Sequence, residues 1–236
     1  MATPQWLKKT GRGVAIGAGL AAAGYGALVA FNYLRYGKVK GARPGRNTLL
    51  DRFIPEPEAV EHHYIAINAP PDIVLATAKE MELLNSPMVR ALIKARELVM
   101  GGTPDPRPHP TQLMAQMQSI GWVVLAETPG REIVFGAVTE PWETAPVFRA
   151  IPAGEFAAFA EPGYVKIAWT LQADPLVGDH RSLFQTETRV STTDATARAR
   201  FRKYWSFVAP GVELIRIAML RPLKRQAERK MHPAAA

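Results

Sequence analysis

Glu187 and Arg189 stand two residues apart in RSLFQTETRV (181–190), a stretch in which apolar and polar residues alternate. In a strand, residues two apart share a face. A carboxylate and a guanidinium therefore lie side by side with Leu183 and Gln185, while Phe184, Thr186, Thr188 and Val190 occupy the opposite face. Facing an interior, such a pair fixes the polar head of an apolar ligand through charge-assisted hydrogen bonds. Facing water, it is a solvated ion pair worth about 0–1 kcal/mol, and this is the default expectation. With Tyr204, these two residues are the first places to look for acid–base chemistry.

Other chemistries find little to work with. The chain has no cysteine, which excludes disulfides, thiol catalysis and cysteine-ligated metals. His62 and His63 are adjacent in an alternating stretch, so their rings point to opposite faces and cannot share a metal. His109 falls in a proline-rich loop, His180 in a turn and His232 in the tail, and no spacing resembles a zinc site. No nucleophile-elbow pattern is present. The expectation is no metal, no cofactor and no assignable catalytic residue.

The elements that must position these residues follow from periodicity. HHYIAI (62–67) alternates as a half-buried strand, and Pro70 and Pro71 end it. The same prolines suit the first turn of a helix over about 72–83, where a missing N–H has no intrahelical partner. A second helix follows over about 87–99, and then the extended loop GGTPDPRPHP. After the loop the period changes to two. IGWVVLAE (120–127) and REIVFGAV (131–138) read as a hairpin, GEFAAFAEPG as a short helical or irregular excursion, and 164–173 and 181–190 as further strands. From Ala197 the apolar positions Phe201, Tyr204/Trp205, Val208, Val212, Ile215, Met219 and Leu223 keep helical spacing through Pro210–Gly211. They predict one long helix kinked at Pro210. Trp122, Phe135, Trp169, Phe201, Trp205, Ile215 and Met219 form the expected inward apolar set. The fold class is α+β.

Charge divides the chain. The net charge of +8 is distributed as +8 over residues 1–50, −7 over 51–193 and +7 over 194–236. Two basic ends on an acidic body suit an anionic membrane and argue against a nucleic-acid partner. Gly13–Leu34 carries no formal charge and, as a helix, reaches about 33 Å, enough for a hydrocarbon core of roughly 30 Å. It predicts a single-pass anchor over residues 13–35, preceded by a basic N-terminus (1–12) and followed by a linker (36–60), a globular domain (61–230) and a tail (231–236). A cleaved signal peptide is the first alternative, and a buried soluble helix, burdened by five interior glycines, the second. Basic residues are more numerous after the segment than before it, which places the domain in the cytoplasm. Gly13, Gly17 and Ala21 give a small-residue stripe suited to self-association.

A strand, two short helices, several antiparallel strands and one long C-terminal helix make the order of a helix-grip fold. With INAPPDIV (67–74), GAVTEPWE (136–143), EPGYVKIAW (161–169), TETRV (186–190) and DATARARFRKYW (194–205), the chain resembles the START-like SRPBCC superfamily, in particular its polyketide cyclase/dehydrase-like branch. That resemblance covers about residues 61–229. It implies a curved antiparallel sheet around the long helix, with a cavity between them that holds lipids, sterols, polyketides or similar apolar molecules. The expected function is a membrane-anchored, non-enzymatic domain that binds a lipid-like molecule in that cavity. Its lining would be Trp122, Phe135, Trp169, Glu187, Arg189, Phe201, Tyr204, Trp205, Ile215 and Met219. A cyclase/dehydratase-type enzyme acting on an apolar substrate, and a structural or partner-binding membrane module with a filled core, are the alternatives.

Overall fold

The computed structural model describes residues 23–34, 48–82, 86–102, 110–177 and 180–231. In chain order these form α1 (23–34), α2 (Thr48–Asp51), β1 (Ala59–Ile67), α3 (Pro71–Glu80), α4 (Pro87–Met100), α5 (Leu113–Ser119), β2 (Val123–Thr128), β3 (Glu132–Thr139), α6 (Ala153–Phe156), β4 (Val165–Pro175), β5 (Ser182–Thr192) and α7 (Ala195–Met231). Among the described residues the strands make one five-stranded sheet in the order β1-β5-β4-β3-β2, and every neighbouring pair is antiparallel.

The double proline performs the switch expected of it. Pro70 caps α3 in an extended conformation (φ −63°, ψ 154°), and Pro71 opens the helix where no N–H is needed. α4 ends at Gly101, whose φ of 72° lies in the left-handed region that glycine enters without strain. Asp194 immediately precedes α7, and its carboxylate accepts the N–H groups of Thr196 (2.7 Å) and Ala197 (2.9 Å) and also that of Gly163. These backbone donors, Ala197's first, hold the Asp194 carboxyl below its ordinary value. The helix then runs 37 residues without interruption through Pro210 and Pro222.

Both faces of the sheet are covered. On one face, Ile67, Ile133, Phe135, Trp169, Leu171 and Phe184 pack against Val74, Leu75 and Ala78 of α3, Leu113 of α5 and Leu223 and Ala227 of α7. The first turns of α7 add Phe201 and Trp205 against Ala59, Val165 and Val190. On the other face, Leu125, Val134, Val138 and Ala168 lie under Leu50, Phe53, Ile54 and Phe156. β3 is consequently buried along its whole length, which explains its unbroken apolar run.

Three expectations need correction. Compact structure begins before Glu61, because Leu50, Phe53 and Ile54 of the expected linker are core residues. α5 was not expected; it buries Leu113 and Gln116 directly after the proline loop. The Glu187/Arg189 face is turned away from α7 but is not solvated, as described below.

Of the expected anchor, residues 23–34 form α1, which docks on α7. The Tyr25 hydroxyl donates to the Phe207 carbonyl (2.6 Å), and the Arg202 guanidinium donates to the Tyr33 carbonyl (3.1 and 3.2 Å) while lying 3.9 Å from its ring centre. Among the described residues, no helix is long and apolar enough to cross a membrane. The N-terminus (1–12), the anchor's first half with Gly13, Gly17 and Ala21, linker residues 36–47, His109, and tail residues 232–236 lie outside the described residues.

Candidate functional site

The residues expected to line one cavity occupy three separate places. The first is the sheet face away from α7. There Arg189, with no exposed surface, donates from Nε to Glu187 (2.7 Å) and from Nη1 to Asp51 (2.5 Å) and the Ile54 carbonyl (3.0 Å). Glu187 is buried as well. The alternation in 181–190 is real, but its polar face is closed by residues 48–58 rather than by water. The pair therefore joins that segment to the sheet and faces neither solvent nor the helix.

The second place is the layer between sheet and α7. Phe135 and Trp169 are cross-strand partners stacked at 4.7 Å, and Trp122 meets Trp169 edge-on at 6.3 Å and lies against Phe148 at 5.4 Å. Phe201 and Trp205 stack at 5.5 Å nearer the start of α7, and Met219 closes the other end. Arg216, absent from the expected lining, enters this layer. It lies 4.8 Å from the Trp169 ring centre and donates to Thr188 Oγ1 (3.1 Å). Burial lowers its guanidinium to about 10, with the Glu61 carboxylate opposing, so it stays charged at neutral pH. Glu61 sits opposite Thr188 in the strand register, and His63 sits opposite Thr186. His63 Nε2 and Thr186 Oγ1 are buried without a hydrogen-bond partner. The void bounded by Thr186, Arg216, Phe184 and Met219 measures about 20 Å³. That is room for about one water and not for a lipid-like ligand.

The third place is on the opposite side of α7, where α1 and α4 flank it. A groove of about 1010 Å³ runs between Gly26, Val29, Ala30 and Tyr33 of α1, Met100 of α4 and Tyr204, Phe207 and Val208 of α7. A second lobe of about 570 Å³ shares Met100, Tyr204, Phe207 and Val208 with it and continues to Leu92, Ile93, Pro210 and Ile215. Two of the expected lining residues, Tyr204 and Ile215, are here. The opening has a local cause. Gly26 and Ala30 are small residues one helical turn apart, and a Cβ built on Gly26 would meet nothing within 4 Å. Tyr25, Leu28, Phe31, Leu34, Ile93, Phe207, Leu214 and Ile217 expose large apolar side chains on these three helices. Together they exceed the scattered apolar residues usual on a soluble surface.

Glu187, Arg189 and Tyr204 are therefore not brought together. Among the described residues, no group of three or more histidine or acidic side chains could hold a metal ion. A scan of protein-family models finds none that matches the chain, and a search of curated proteins finds no match either. Among solved structures, the crystal structure of DR_A0006 from Deinococcus radiodurans is similar at 9% identity over 62% of this chain and 94% of that one, with a TM-score of 0.28. The fold thus rests on the elements above: an antiparallel sheet packed against a long C-terminal helix, a layout compatible with a helix grip.

Proposed function

We propose that the protein is a membrane-attached, non-enzymatic module of START-like (SRPBCC) type that binds a lipid-like apolar molecule in the groove between α1, α4 and α7. The observation that carries this reading is the groove itself: two connected apolar lobes of about 1010 and 570 Å³ on a surface already rich in exposed apolar side chains. The packed layer beneath α7 favours this location over the sheet–helix cavity implied by the family resemblance. Attachment is supported by the uncharged run Gly13–Leu34 and by the basic excess at both ends of the chain. Because α1 forms one wall, a groove at the end of that run is open to a molecule arriving from the bilayer. The cyclase/dehydratase alternative has less support, since Tyr204 lies in the outer groove, apart from the paired Glu187 and Arg189.

The test is to purify the full chain from membranes, extract it with solvent and identify what it carries by mass spectrometry. The expected result is an apolar molecule at near one per chain, absent from a Gly26→Leu/Ala30→Leu variant whose new side chains fill the groove. A wild-type chain that carries nothing and takes up no added lipid would refute the proposal.

A further inference from the structure

The two ends of the groove differ in chemistry. Its apolar lobe ends around Leu92, Ile93 and Ile215. Its other end is lined by Trp142, Glu143, Arg200 and Lys203. From Arg200 to Ile215 the groove follows about 22 Å of α7 at ~1.5 Å per residue, the length of a long acyl chain.

The cations at the polar end are not equivalent to those around them. Arg198 is paired with Glu58 (3.0 Å) and Arg202 is held on Tyr33. Arg200 lies 5.9 Å from the Trp142 ring centre, and among the described residues neither it nor Lys203 has an acidic partner. Arg96, from the apolar lobe, reaches back to this end and donates to the carbonyls of Pro141 and Glu143 (3.2 Å each). Arg200 and Lys203 thus line this end with Glu143 as its acidic lining residue, while Arg96 is held on backbone carbonyls. The Trp142 indole, whose N–H is buried out of reach of the groove, gives this end an aromatic wall beside Arg200.

Resting on the groove reading above, we infer that the ligand is a long-chain amphiphile with an anionic head. Its head lies at Arg200 and Lys203, and its chain lies along Phe207 and Val208 toward Ile215. An anionic oxygen supplies what this end lacks, a counter-charge for the two exposed cations. A neutral head supplies no counter-charge, so the site discriminates by charge.

The test uses the full chain reconstituted in zwitterionic vesicles and two photoreactive diazirine probes of equal length, a sixteen-carbon fatty acid and the corresponding fatty alcohol. Adduct yield and position are read by mass spectrometry. The expected result is labelling on α1, α4 and α7, with the acid several-fold ahead of the alcohol. Arg200→Gln/Lys203→Gln should bring the acid down to the alcohol's yield. Both of those side chains are exposed, so the fold is kept, and an unchanged thermal unfolding curve checks that it is. Gly26→Leu/Ala30→Leu should abolish both labels. If acid and alcohol label the groove equally, or if the double glutamine variant keeps the acid's advantage, the anionic head is wrong and the groove reading stands. If neither probe labels the groove, both readings fall.

Discussion

Replacing Arg189 tests whether residues 48–58 belong to the fold. Arg189 is fully buried, and its guanidinium contacts Glu187, Asp51 and the Ile54 carbonyl. Arg189→Met keeps a similar shape and removes the charge. It leaves the Glu187 side chain, 6% exposed, with its charge uncompensated in the interior, a situation that costs about 3–5 kcal/mol. Asp51 adds little, because its side chain is 42% exposed and water replaces its partner. Against a total stability of roughly 5–15 kcal/mol, the loss is large. With a urea dependence near 2 kcal/mol per molar, the unfolding midpoint should fall by roughly 2 M. Removing both partners, as Glu187→Leu/Arg189→Met, leaves no buried charge and should recover most of the loss. The assay is urea denaturation followed by tryptophan fluorescence, for which Trp169 and Trp205 are buried reporters. A single variant within 1 kcal/mol of wild type, or a double variant as unstable as the single one, would refute the reasoning.

Three further outcomes are expected. Burial, helped by the nearby Arg216 and His62 charges and opposed by Glu61 and Glu213, holds the His63 imidazole below its ordinary value. Stability should therefore fall as pH drops below about 6.5, where the unfolded chain takes up the proton first, and level off below the folded value. Urea midpoints of wild type and His63→Gln, compared across that range, should diverge; parallel curves would contradict the assignment. Gly121→Ala places a Cβ 2.1 Å from the Phe148 carbonyl oxygen at a φ of 98°. Since a backbone atom cannot yield cheaply, it should cost about 2 kcal/mol or more in the same assay. Met219→Ala enlarges the small void beneath α7 and should cost about 2 kcal/mol, the low end for a partly buried methionine. It should leave ligand labelling in the outer groove unchanged, whereas a ligand held beneath the helix would bind differently.

Local patterns carried the order of elements. Alternation placed β1 and the later strands, the double proline placed the start of α3, and unbroken helical spacing through Pro210 predicted the length of α7. What failed depended on contacts between distant residues. Alternation sorts Glu187 and Arg189 onto one face but does not say what covers that face; TLLDRFI, a short apolar run between glycine- and proline-rich stretches, does so. α5 escaped notice because LMAQMQS holds two buried positions and lacks a capping side chain. Arg216 was legible in principle, as a charge four residues from Val212 and three from Met219 on the same helical stripe.

The groove exposes a more general ambiguity in reading a long helix. The residues predicted to make one inward stripe on α7 belong to two surfaces. Ala197, Phe201 and Trp205, spaced four apart, are buried, the last two in the cluster against the sheet. Tyr204, Val208 and Ile215 lie around the circumference and line the groove. A helix that buries one face against a core needs an apolar arc of only about 100°. An arc widened to include Tyr204, Phe207 and Val208 has more apolar surface than the sheet can cover. The surplus requires a second partner. Part of that partner is α1, but its Gly26 and Ala30 leave the contact open where larger side chains would have closed it. The widened arc and the small residues facing it are therefore two halves of one feature. Each is visible in sequence, and only their juxtaposition across some 180 residues of chain shows that they leave an apolar groove between them.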